Sequence, residues 1–232
     1  MLTHRPAADR GHFDHGWLNT FHTFSFAGYR DPQHMGFGPL RVINEDRVAG
    51  GRGFGRHGHA NMEILSLVLA GKLAHEDSMG HGETLSRGDV QFMSAGRGIE
   101  HSEFNGDADQ TVHFYQVWIE PSETATEPRY GQVHVDLEAG GTQPIAGDGS
   151  AIPLHQDAAV SFVRVDDGQS ATPDQSRPRQ WVQVVEGTGR VAAGDQSVEV
   201  QPGDGVGLLG ESGLTLTGGD GGLSVLLFDL PE

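Results

Sequence analysis

The stretch Arg56-His57-Gly58-His59 carries two imidazoles two residues apart and leads into the apolar run Ile64 to Leu69. On an extended strand, residues i and i+2 project from one face, so His57 and His59 point together, with Asn61 and Glu63 in the same parity. Forty-two residues after His59, in Gly98-Ile99-Glu100-His101-Ser102-Glu103, His101 and Glu103 repeat that spacing. Two such strands facing each other would bring three imidazoles and one carboxylate to a single point. Neutral imidazole and carboxylate suit divalent iron, nickel, copper, cobalt, manganese or zinc. Four protein ligands in an octahedral set leave two positions for substrate and dioxygen. A lone H-x-H is common on surface strands. The specific signal is the coupling of H-x-H, then Gly-Asp, then G-x-x-H-x-E.

Other chemistries are harder to place. The chain has no cysteine, which excludes disulfides, thiolate nucleophiles and Cys-ligated metal or iron–sulfur sites. Gly53 to Gly58 matches G-x-G-x-x-G, but a β-run follows where a dinucleotide site needs a helix. No G-x-S-x-G elbow occurs. His75-Glu76-Asp77 has no histidine four residues on, as a zincin helix would need, and reads as a hairpin turn. His113 sits in the alternating run Val112 to Ile119 and reads as packing.

The elements that must position the site are short β-runs: Ile64 to Leu69, Val90 to Met93, Val112 to Ile119, Trp181 to Val185, Val206 to Leu209 and Leu223 to Leu230. Gly, Asp, Asn or Pro separates most of them, which predicts an antiparallel sandwich or barrel. The best short helix candidate is Gln175 to Arg179. Pro121 to Tyr130 reads as a crossing between two halves, and Leu137 to Ile152 as a loop or edge. The halves resemble each other: Gly71 to Gly88 and Gly187 to Gly203 span 17 and 16 residues, and Asp follows the second glycine in each. A duplicated β-barrel unit follows, with residues 1–133 as the first and 134–232 as the second. Eleven of the 13 histidines lie at or before His113, which puts the chemistry in the first unit.

The formal charge of −17 disfavours phosphate backbones and anionic headgroups, so neither nucleic acid nor membrane is an expected partner. The N-terminal residues lack the apolar stretch of a signal peptide, and no apolar run nears the roughly 20 residues that span a bilayer. The expectation is a cytoplasmic protein.

Residues 51–71 and 88–105 resemble the two cupin motifs. HGHANMEILSLVLAG (His57 to Gly71), HEDS (His75 to Ser78), MSAGRGIEHSE (Met93 to Glu103) and QVWIEP (Gln116 to Pro121) resemble the bacterial pirin-like proteins more closely. FHTFSFAGY (Phe21 to Tyr29) and LRVIN (Leu40 to Asn44) fit the same family. The resemblance is dense over residues 11–133 and thinner beyond. Ser94 in place of the second motif's usual proline, and His101 two residues later than that motif expects, depart from cupins at large but suit pirins.

The resemblance implies an all-β bicupin of two barrels, with one metal ion in the first, on His57, His59, His101 and Glu103, and iron(II) as the leading candidate. Glu63, the usual cupin carboxylate, is then expected inward but behind the ligands. His22 becomes a lid or pocket candidate. The implied activity is that of a quercetinase, which opens the central ring of a flavonol with dioxygen and releases carbon monoxide. Glu103 is the candidate proton acceptor, and Phe54, Met62, Glu63 and Phe104 are candidate pocket residues by neighbourhood. Two competing readings are a metal-dependent regulatory protein with a protein partner, and a cupin acting on another small molecule.

Overall fold

The computed structural model describes residues 1–232. The first twelve strands are β1 (Leu2–Arg5), β2 (Gly11–Asp14), β3 (Leu18–His22), β4 (Leu40–Val48), β5 (Gly53–His59), β6 (Glu63–Ala70), β7 (Leu73–Asp77), β8 (Gly82–Leu85), β9 (Asp89–Ser94), β10 (Ile99–Asn105), β11 (Val112–Ile119) and β12 (Arg129–His134). Seven more follow: β13 (Gly141–Ala146), β14 (Ala159–Val165), β15 (Ser170–Ala171), β16 (Arg179–Ala193), β17 (Gln196–Val200), β18 (Gly205–Leu209) and β19 (Thr215–Leu230). The fold is all-β, as the short apolar runs predict. One 3-10 turn, Ala7–Asp9, is the sole helical element, and no helix is long and apolar enough to cross a membrane.

The first unit is a sandwich. A seven-stranded sheet, ordered β12-β9-β6-β11-β4-β3-β2, faces a four-stranded sheet, ordered β5-β10-β7-β8. No ladder joins the two sheets, so the expected jelly-roll-like barrel takes the form of two facing sheets with accessible interior space. Leu18, Val48, Val68, Leu73, Leu85, Val112 and Phe114 pack one part of that interior, and Ile64, Met93, Ala95 and Ile99 another. β6 is buried on both faces. Leu65, Leu67 and Leu69 enter the cluster shared with the second unit, while Ile64 and Val68 enter the sandwich interior. Burial on both faces explains why the run reads as continuous rather than alternating.

The second unit is built on the long strands β16 and β19, which pair along most of their length in an eight-stranded sheet. Fourteen aliphatic side chains, among them Val182, Val191, Leu216 and Leu223, form its core cluster. A cluster of 24 buried residues joins the two units, with Phe24 and Phe37 packed on Trp181 at 4.8 and 5.3 Å between ring centroids. The N-terminal strand β1 pairs with β18, so the chain begins on the second unit's sheet.

The repeat seen in sequence is a repeated turn. Gly71, Gly88, Gly187 and Gly203 have φ of +74°, +86°, +77° and +89°, a region that favours glycine. The amide of Gly88 donates to the Val68 carbonyl at 2.9 Å, and that of Gly203 to the Val184 carbonyl at 3.0 Å. Gln175 to Arg179, the helix candidate, is not helical. Its backbone is irregular and turns into β16 at Arg179. Pro178 supplies no amide and biases Arg177 to extended backbone. The amides of Ser176 and Arg177 donate instead to the Asp229 carboxylate.

Candidate metal centre

β5 and β10 are antiparallel neighbours, with His57 directly opposite His101. His101 is the hub: its Nε2 lies 2.9 Å from Nε2 of His59 and 3.0 Å from Nε2 of His57. One ring nitrogen from each of the three residues falls within a 4.8 Å group that could hold a metal ion. Nδ1 of His57 lies 2.8 Å from the Gly55 carbonyl. A carbonyl only accepts, so the proton sits on Nδ1 and the Nε2 lone pair is free.

Burial, with the charge of His57 next, holds the pKa of His59 down to about 4 and that of His101 to about 3. Both rings are therefore neutral near pH 7, the form that binds a metal. The donor set thus suits a divalent transition ion. In metal-free protein, the ring NMR signals of His59 and His101 should keep neutral-imidazole positions from about pH 8 to about 5.5, whereas an ordinary histidine titrates near 6.5. Titration of either ring near 6.5 would contradict this.

Glu103 stands outside the 4.8 Å group. Its buried carboxylate lines the same cavity, accepting from Gln116 Nε2 at 2.8 Å and Ser66 Oγ at 3.4 Å. Burial pushes this carboxyl above its ordinary value, against the Gln116 bond, the charge of His57 and the Ser66 bond. Trp118 Nε1 donates to Gln116 Oε1 at 3.1 Å, which fixes the amide so that its NH2 meets Glu103.

His57 and His59, with His101 buried behind them, line a cavity of about 490 Å³, the size of small-molecule sites. Its lining interleaves the aromatic Phe13, Phe26, Phe54 and Trp118 with the polar Thr20, His22, Asn44, Asp46, Gln116 and Glu103. No Lys or Arg lines it. Trp118 meets His59 edge to face at 4.9 Å and Phe26 at 5.2 Å.

Of the four pocket candidates, only Phe54 lines the cavity. Between His101 and Glu103, β10 advances two residues while β5 runs from His57 back to Phe54, and this bulge turns Phe54 to the face of His57. Phe104 alternates with Glu103 on β10 and is 42% exposed. Met62 packs beside the Ile64 cluster. Asn61 has a φ of +54° in the turn after β5, which breaks the parity that links Glu63 to the histidines. Glu63 starts β6 on the opposite sheet, on the face it shares with Leu65 and Leu67 toward the second unit rather than inward behind the ligands, bonded by Ser94 Oγ at 2.5 Å and the His155 amide at 3.2 Å.

His22 lines the cavity with Nδ1 2.9 Å from Asn44 Oδ1. Sequence reasoning missed Phe13, Phe26, Asn44, Asp46 and Trp118 as cavity residues. The usable signal was parity: Asn44 and Asp46 share a face of β4, as Thr20 and His22 share one of β3.

Burial, helped by the charges of Glu103 and Glu45 and opposed by a Thr20 hydrogen bond, raises Asp46 from 3.8 to about 7. A carboxyl raised in this way costs stability progressively as pH climbs from 3.8 toward 7 and above. In metal-free protein, Asp46→Asn should therefore melt several degrees higher than the parent at about pH 8, with the gap closing near pH 4. A gap independent of pH, measured by thermal unfolding, would contradict this.

Two family profiles match the chain: Pirin over residues 3–119 and the quercetinase C-terminal cupin domain over residues 144–230. The chain is 43% identical to a quercetin 2,3-dioxygenase of Escherichia coli K12 over 235 aligned positions, covering 100% of this chain and 99% of the relative. It is 35% identical to a pirin-like protein of Caulobacter vibrioides, covering 94% of each. The solved structure of the bacterial pirin YhhW from Escherichia coli in complex with nickel(II) superposes with a TM-score of 0.92 at 40% identity, over 100% of this chain and 99% of that one. With one profile spanning half the chain and similarity along its whole length, the chain belongs to the pirin family.

Proposed function

We propose that the chain is a metal-dependent dioxygenase that opens the central ring of flavonols such as quercetin with dioxygen and releases carbon monoxide. The observation that carries this reading is the cavity itself. Two of the three clustered imidazoles, those of His57 and His59, line a space that combines aromatic rings with hydroxyl-accepting polar groups and has no cationic side chain. A flat, uncharged, polyhydroxylated aromatic fits that chemistry, whereas a carboxylate or phosphate substrate would meet Asp46 and Glu103. The relative named quercetin 2,3-dioxygenase supports the same choice.

We assign the metal to His57, His59 and His101, with Glu103 as the fourth ligand. The first unit, residues 1–133, then carries the chemistry, and residues 134–232 form a unit without a metal. Iron(II) is our leading candidate, nickel(II) the next; the nickel complex of the Escherichia coli pirin supports a divalent ion.

When bound, such an ion supplies Lewis acidity, lowering the pKa of a coordinated flavonol hydroxyl and orienting the ring. Glu103 accepts the hydroxyl proton; its raised pKa makes it a stronger base than an exposed carboxylate, and the Trp118-Gln116 chain holds it in place. Phe26, Phe54 and Trp118 grip the flavonol faces and exclude water. Asn44 and Asp46, which also line the cavity, accept hydrogen bonds from flavonol hydroxyls.

The test is turnover of a flavonol panel by protein purified and metal-loaded under anaerobic conditions, following quercetin, oxygen and headspace carbon monoxide. One carbon monoxide released per flavonol and per dioxygen consumed is the expected result. A metal-loaded protein that turns over no flavonol would sink the dioxygenase reading and favour a regulatory protein.

A further inference from the structure

His75 takes no part in the ligand set, and its sequence context reads as a hairpin rim. It lies instead on β7, only 3% exposed, with Nε2 at 3.2 Å from Nδ1 of His101. Its other ring nitrogen, Nδ1, is buried without a hydrogen-bond partner. The ring is stacked on Tyr130 of β12 at 5.5 Å and 18°, and Tyr130 stacks in turn on His81 at 4.5 Å and 13°. His81 Nδ1 lies 2.8 Å from the Asp77 carboxylate, which also accepts the amides of Met79 and His81. His75 is thus clamped between the two sheets of the first unit.

A neutral imidazole has one N–H. If His101 gives the lone pair of Nε2 to a metal, its proton must sit on Nδ1. The His75 ring nitrogen is the partner that this Nδ1–H meets. His75 Nε2 must then be the acceptor, which places the proton of His75 on its solitary Nδ1.

We propose that His75 is the positioning residue of the metal centre, accepting the Nδ1 proton of His101 and so fixing the ring angle and the nitrogen that His101 offers to the metal. This rests on the metal assignment above. Without metal, His75 Nε2–H can donate to His101 Nδ1, and His101 Nε2–H can point to His57 or His59. Loading then shifts the proton between the two rings from His75 Nε2 to His101 Nδ1. The proton on His101 Nε2 leaves to solvent and one from solvent joins His75 Nδ1, so the net protonation of the pair is unchanged. The unpaired His75 Nδ1 is the cost that this arrangement carries.

The test uses zinc as the probe, because it is diamagnetic and accepts the same donors. Chelator competition measures the zinc affinity of the parent, His75→Gln and His75→Leu. Glutamine can place an acceptor oxygen near the position of Nε2, whereas leucine cannot. The expected result is a 10- to 100-fold loss for His75→Leu, roughly the effect of removing a ligand's hydrogen-bond partner, with His75→Gln within about threefold of the parent. Long-range nitrogen–proton NMR of the zinc-loaded parent should show protonated Nδ1 on both His75 and His101. Equal losses in the two variants, parent-like affinity in His75→Leu, or zinc on His101 Nδ1 would overturn the proposal. If His75→Leu fails to fold, the NMR tautomers and His75→Gln still decide. A parent that binds no zinc would overturn the metal assignment itself, an outcome distinct from these.

Discussion

His101→Ala is expected to abolish stoichiometric metal binding, with affinity falling by more than about 100-fold, since losing even a ligand's hydrogen-bond partner costs 10- to 100-fold. Three of the distances that define the site meet at this ring: those to His59 and His57 at Nε2, and to His75 at Nδ1. Removing it separates His57 and His59 from the β10 donor and leaves His75 with a second unpaired nitrogen. His57 and His59 sit at the rim of the cavity and are partly exposed, so their individual alanine variants should lose less. Metal content after dialysis, measured beside the metal-free melting temperature, separates ligand loss from unfolding. Full metal content in folded His101→Ala would show that the ion sits elsewhere.

Glu103→Gln is the second large effect. The amide keeps the size of the side chain but cannot take a proton, so flavonol turnover should fall by roughly 10²- to 10⁴-fold, the usual contribution of general base catalysis. Glu103 stands outside the group of three nitrogens, so the variant should still hold one metal per chain, though more weakly. The buried Gln116 amide would then face another amide in place of a carboxylate, and the Trp118-Gln116 chain would lose its charged end. Steady-state oxygen uptake beside metal analysis checks both halves of this expectation. Parent-like kcat in metal-loaded Glu103→Gln would remove Glu103 from the proton transfer.

The parts of the site legible in sequence are those that lie within one strand. His57 with His59, and His101 with Glu103, share a face because alternation is a local property of extended chain. What failed depends on contacts between strands. The bulge opposite Glu103 decides that Phe54 faces the cavity, and nothing in Gly53-Phe54-Gly55 announces it. The turn at Asn61 carries Glu63 to the other sheet, so the H-x-H-x3-E spacing spans two layers rather than one face. Phe104 was legible as outward, because it alternates with Glu103, and neighbourhood was the wrong guide there. The polar lining residues come from β3, β4, β10 and β11, whose adjacency no single segment encodes. At the level of the fold, the duplicated glycine turns were readable because left-handed backbone favours one residue type. The pairing of β1 with the second unit's β18 was not, since it depends on a partner about 200 residues away.

The most direct measurement is anomalous diffraction from crystals of protein loaded with one equivalent of a divalent ion, iron(II) first. The expected result is a single peak bonded to Nε2 of His57, His59 and His101 at about 2.0–2.2 Å, with the Glu103 carboxylate turned toward it. A single ordered peak away from these three nitrogens would contradict the assignment of the metal and, with it, the proposed chemistry.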